Sequence, residues 1–158
     1  MRLRFRPAQN TYTTVLSRLR PFAACSADEL GAIARSCTPI VRKAGSVLAR
    51  ECALRKEVLI LLSGSALVTR DGLPETVLDA GDSFGDADVL ARGQTSAGLV
   101  ALTDVELLVM SGAEFSAVFE TVAPFRRRIV RALAERARFG KIEASHSRDE
   151  REGSRSQS

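Results

Sequence analysis

A chain of 158 residues with 45 % hydrophobic and 27 % charged residues has enough apolar content for one packed core and excludes disorder along its whole length. The formal net charge is +4, and lysine occurs only at Lys43, Lys56 and Lys141, so nearly all of the basic charge is arginine. No apolar run approaches the length of a membrane span, and the opening MRLRFRPAQN has no apolar stretch of the secretory kind. Cys25, Cys37 and Cys52 show neither metal nor redox spacing, so reduced thiols and a cytoplasmic setting are expected.

Residues 1–10 are basic, contain Pro7, and are expected to form a flexible arm. Val15, Leu16 and Leu19 share one stripe of a short helix over Thr11–Leu19, which Pro21 ends, because the residue before a proline avoids helical geometry. Ser26-Ala27-Asp28-Glu29 is a capping box, and Leu30, Ile33 and Ala34 follow at helical spacing, which predicts a helix over Ala27–Ser36.

From Thr38 to Met110 the pattern changes to short apolar runs: Val47-Leu48, Val58–Leu62, Ala66–Val68, Thr76–Leu78, Leu99–Leu102 and Val105–Met110. Turn signals separate them, notably Ala44-Gly45, Ser63-Gly64, Asp71-Gly72, Ala80-Gly81-Asp82 and Thr103-Asp104. Many short strands between glycine turns predict an antiparallel sandwich or jelly roll, with Asp71-Gly72 as its clearest hairpin.

Helical signals return with a second capping box, Ser111-Gly112-Ala113-Glu114, followed by Phe115, Val118 and Phe119. Pro124 suits the start of a last helix, in which Phe125, Ile129, Leu133 and Ala137 line one face and Arg126, Arg127, Arg128, Arg131, Arg136 and Arg138 populate the rest. Gly140 is a plausible stop. Residues 143–158 carry almost no apolar side chains and are expected to be disordered. The expected organisation is an arm over 1–10, one domain over 11–141 and a polar tail over 142–158, in the α+β class.

The stretch from Leu19 to Phe139 resembles the cyclic-nucleotide-binding domain of catabolite-activator regulators, kinase regulatory subunits and gated channels. The resemblance is carried by Arg20-Pro21-Phe22, Ser26–Leu30, Lys43–Leu48, Val58–Gly64, Ala80–Asp86 and Ser96–Val109, in order and in register. It implies an antiparallel β jelly roll flanked by N- and C-terminal helices, with a short helix that forms a phosphate cassette. Backbone N–H groups at such a helix start suit an anion. The family adds an arginine for the cyclic phosphate and a glutamate for the ribose hydroxyl.

By that resemblance Phe84, Gly85, Asp86, Ala87, Asp88, Arg92, Thr95 and Ser96 are the ligand-site candidates. Gly85 matches the family glycine, Asp86 stands at the glutamate, and Thr95 stands at the arginine. Asp88 brings a carboxylate to a position where the family prefers a small residue. Losing a buried charge partner costs about 2–5 kcal/mol, or some 30- to 4000-fold in affinity. Arg92, three residues before Thr95, is the one residue placed to rescue a phosphate. Cys52 and Arg55 stand at family glycines, which predicts a rebuilt loop.

Two functional readings follow. The first is a non-catalytic regulatory module that has lost ordinary cAMP and cGMP binding and acts on another protein. Its partner surface would be Phe125, Arg126, Arg127, Arg128, Arg131 and Leu133. The alternative is a small-molecule or cyclic-nucleotide sensor with an atypical phosphate site, using Gly85, Asp86 and Arg92. Gly81-Asp82-Ser83-Phe84-Gly85 fits a hydrolase elbow, but the only histidine is His146, in the polar tail. Asp79, Asp82, Asp86 and Asp88 lack the spacing of a calcium loop. No enzyme activity, cofactor or metal is expected. The residues after Gly140 are too few and too polar for the winged helix of the family's DNA-binding regulators, so sequence-specific DNA binding is not expected.

Overall fold

The computed structural model describes residues 9–53, 57–91 and 97–135. Helix α1 covers Gln9–Ser17, two residues earlier at each end than the apolar stripe predicts. The chain leaves it through a 3-10 turn, Arg20–Phe22, where Pro21 holds an opening position that needs no N–H. Helix α2, Ala27–Arg35, starts on the expected capping box. Ser26 Oγ accepts from the Glu29 N–H (3.1 Å) while Glu29 Oε1 accepts from the Ser26 N–H (2.9 Å).

Eight strands follow: β1 Thr38–Arg42, β2 Val47–Ala49, β3 Glu57–Ser63, β4 Ala66–Arg70, β5 Leu73–Leu78, β6 Ser83–Phe84, β7 Gly98–Ala101 and β8 Val105–Ser111. They form two four-stranded antiparallel sheets, ordered β1-β8-β3-β6 and β2-β7-β4-β5. This is the jelly roll that the glycine-punctuated apolar runs predict. Strand β1, whose proline and exposed flanks blur the pattern, and the two-residue β6 are not among the runs named from sequence.

Strand β3 shows why the core forms where it does. Val58, Leu59, Ile60, Leu61 and Leu62 are all buried, so both faces of the strand are covered. Leu59 joins an interior cluster with Ala49, Ala66, Val68, Phe84, Ala97 and Leu99. Leu61 joins a second cluster with Ala101, Val105 and Leu107. Helix α4, Gly112–Thr121, packs on β3 and β8. It starts on the second capping box, where Ser111 Oγ and Glu114 Oε1 accept from each other's N–H at 3.1 and 3.2 Å.

The outer face of the other sheet is open. The register places Val47, Val100, Leu67 and Val77 side by side across all four strands, and Val47 and Val77 remain 56 % and 47 % exposed. The Asp71-Gly72 turn joins β4 to β5 with φ values of 54° and 74°, the paired positive φ that a two-residue hairpin demands.

Compact packing divides the chain after Arg126. Residues 1–126 hold the sandwich and its helices, and the residues from 127 are helical as far as 135. The polar tail, Gly140, Ala137, Arg136 and Arg138 lie outside the described residues, as do positions 1–8 of the basic arm.

Candidate functional site

The site is built at the end of β6. Phe84 pairs with Leu59, and Ser83 with Ile60, so this two-residue strand is anchored to the buried centre of β3. The turn before it is tied to the same strand: the Gly81 N–H donates to Leu61 O (2.7 Å) and the Leu61 N–H to Asp82 O (3.0 Å). Asp82 Oδ2 accepts from the Asp79 N–H at 2.8 Å, so these two members of the acidic series serve the turn.

Gly85 caps the helix that follows, α3 (Asp86–Leu90), with φ 89°. A Cβ at this position would stand 2.6 Å from Glu57 O, so sterics as well as the backbone angle require glycine. Inside the barrel wall, Phe84, Leu59, Val68 and Leu99 give the barrel an apolar interior next to α3.

Asp86, the first residue of α3, is fully buried, and its Oδ2 accepts from Ser83 Oγ at 3.1 Å. The serine of the elbow-like motif thus donates to a carboxylate three residues on and holds its side chain still. Ala87 and Asp88 are half-buried on the same helix. Arg92, Thr95 and Ser96 lie outside the described residues. The structure thus gathers Phe84, Gly85, Asp86, Ala87 and Asp88 at one end of the barrel.

The loop expected to be rebuilt is described as far as residue 53. Cys52 adopts φ 59°, a left-handed angle that residues other than glycine seldom take. Arg55 lies outside the described residues. Glu51, next in line, reaches across to accept from the Gly72 N–H at 3.2 Å and tethers the hairpin tip.

Sequence reasoning missed Arg70. Strand β4 runs unbroken while β5 carries an extra residue at Glu75, and Arg70, exposed at the end of β4, pairs across the hairpin with that residue. Its Nε and Nη2 donate to the two Glu75 oxygens at 3.0 and 3.2 Å. The hairpin signal was in the sequence; the bulge that sets Glu75 against this arginine was not.

The partner candidates separate into two groups. Phe125 is buried, its ring stacked on Phe22 and edge-on to Phe115. Arg126 is half-buried, and its Nη1 donates to the carbonyls of Glu120 (2.9 Å) and Phe119 (3.4 Å), which caps the end of α4. Arg127, Arg128 and Arg131 are exposed, and Leu133 is half-buried.

The sequence profile of the cyclic nucleotide-binding domain matches residues 40–122, more than half of the chain. The chain belongs to this family. No curated protein sequence matches it. Among solved structures, this cyclic nucleotide-binding domain is similar to the regulatory domain of Toxoplasma gondii PKA with cAMP, at 18 % identity and TM-score 0.70, over 80 % of this chain and 50 % of that one. It is similar to the Thermus thermophilus catabolite activator protein at 22 % identity and TM-score 0.71, over 79 % of this chain and 61 % of that one.

A third likeness is the regulatory subunit of a cAMP-independent protein kinase A from Trypanosoma brucei, at 21 % identity and TM-score 0.69, over 78 % of this chain and 46 % of that one. The same subunit is known with cAMP bound in its A site when it carries three substitutions, Glu→Ala, Thr→Arg and Val→Ala. The chain thus spans half of the first of these proteins and less than two thirds of the other two. Among the described residues no helix is long and apolar enough to cross a membrane.

Proposed function

We propose that this domain, spanning residues 11–141 between a basic arm and a polar tail, is a non-catalytic regulatory module that no longer binds cAMP or cGMP in the ordinary way and acts on a partner protein. The observation that carries this reading is the carboxylate of Asp88 on the cassette helix, with Thr95 where the family's phosphate arginine belongs. A threonine donates one neutral hydrogen bond and cannot neutralise a phosphate. Asp86 and Asp88 together oppose a third negative charge.

The trypanosome subunit supports this reading. Its glutamate, threonine and valine substitutions are spaced seven residues and one residue apart. Asp88, Thr95 and Ser96 have the same spacing here, and the first two match in kind: a carboxylate and a threonine. Phe125 and Arg126 are engaged within the domain, so the partner surface narrows to Arg127, Arg128 and Arg131, which suit an acidic partner.

Calorimetric titration with cAMP and cGMP tests the proposal. The expected outcome is no heat of binding up to millimolar nucleotide, with binding gained in the Asp88→Ala/Thr95→Arg/Ser96→Ala variant. Micromolar binding by the unaltered domain would instead establish a sensor that uses Gly85, Asp86 and Arg92. The retained geometry of Gly85 and the buried Asp86 favours that second reading.

A further inference from the structure

Helices α1 and α2 pack against each other and leave between them a groove of about 410 Å³, the size of a small-molecule site. Thr13, Thr14 and Ser17 line it from α1, and Asp28, Gly31 and Arg35 line it from α2. The groove therefore combines hydroxyls on one wall with a carboxylate and a guanidinium on the other.

Gly31 shapes the charged wall. A glycine inside a helix is a weaker helix former than alanine, so its place in α2 needs a reason. The space that a methyl would take is held by another side chain: Arg35 Nη1 lies 3.1 Å from where a Cβ on Gly31 would stand. The guanidinium thus folds back toward the start of the helix, the direction that helical side chains favour, and rests over Gly31. Asp28 shares that face one turn earlier, about 4.5 Å along the axis from Gly31. Among the described residues no ion pair joins Asp28 to Arg35, so two opposite charges stand near each other in the groove without neutralising one another.

We propose that this groove binds a small zwitterion, an amine and a carboxylate separated by a short methylene chain. Arg35 takes the carboxylate and Asp28 the ammonium, while Leu30 and Gly31, which lie between them in the lining, take the methylenes. Ser17 supplies a second acceptor for the ammonium: its Oγ donates to Thr14 O at 2.7 Å, so toward a ligand it accepts. A simple anion would meet Asp28 as a repulsive neighbour, and a simple amine would meet Arg35, so the pair selects molecules that carry both charges. The site lies on the helices that precede the barrel, and the proposal holds whether or not a nucleotide binds inside it.

Amide chemical-shift titration of the whole chain with 4-aminobutyrate tests this, with butyrate and butylamine as single-charge probes. Saturable shifts confined to α1 and α2 are expected with millimolar 4-aminobutyrate, and none that saturate with either single-charge probe. Asp28→Asn and Arg35→Gln are each expected to weaken binding about five-fold, the worth of an exposed charge pair. Neither side chain belongs to the capping box of Ser26 and Glu29, so α2 keeps its start. Gly31→Ala separates the site from the fold. It should melt no lower than the unaltered domain, because alanine favours the helix, yet bind more weakly, because its methyl displaces the guanidinium. Butyrate binding as tightly as 4-aminobutyrate would make this a plain anion site and overturn the proposal. Absence of any saturable shift, or unchanged affinity in Asp28→Asn, overturns it as well.

Discussion

The ring of Phe125 lies 5.9 Å from that of Phe22, with their planes 17° apart, and Phe115 meets the same ring edge-on at 5.8 Å. One aromatic side chain therefore joins the 3-10 turn that precedes the barrel to the helix that follows it. Aromatic pairs of this geometry add about 0.5–1.5 kcal/mol beyond area burial. Phe125→Ala should lose roughly 3–5 kcal/mol of stability in urea denaturation. A loss below about 1 kcal/mol would mean that the turn and the helix do not depend on this ring.

Gly85 fixes where the cassette starts. In Gly85→Ala the left-handed backbone alone should cost about 1–2 kcal/mol. The approach of the new methyl to Glu57 O adds to that cost, so the variant should melt lower than Gly45→Ala. Gly45 also has positive φ, at 85°, but its Cβ would meet nothing within 4 Å. Equal melting temperatures for the two variants would remove the steric part of the argument.

Burial, and secondarily the Glu114 carboxylate, push the Cys37 thiol up from 9.0 to about 12. The native state thus keeps a proton that the unfolded chain loses above pH 9. This contribution to stability is whole below pH 9 and drains away as pH rises toward 12, by at most about 1.4 kcal/mol per pH unit. Cys37 is intermediate in exposure, so solvent reduces the size of the effect and not its sign. Between pH 8 and 10.5 the unaltered domain should lose more stability than Cys37→Ala does. Parallel curves for the two proteins would show that the thiol titrates normally.

Much of the frame was legible because its signals are local. Each capping box is a four-residue word, and both begin the helices they announce, at Ser26 and at Ser111. Asp71-Gly72 names its own turn, since few other residue pairs accept two positive φ values. Family resemblance pointed to Gly85, Asp86 and Asp88, which lie at the start of the short helix α3.

What stayed hidden depends on distant pairing. Two residues, Ser83 and Phe84, become a strand only because β3 offers them partners. Arg126 reads as one more surface arginine until α4 presents its terminal carbonyls. Arg70 meets Glu75 only through the register of β4 against β5, which no local pattern encodes.

Strand β5 is the outermost member of its sheet, and Leu73 and Val77 on it are 68 % and 47 % exposed. Such a border invites the strand of a neighbouring molecule to join it. Pro74, which has no amide hydrogen to offer, and the bulge at Glu75 interrupt the regular repeat that a neighbour would have to match. The distortion that sets Glu75 against Arg70 therefore also leaves this open border a poor template for a neighbour's strand.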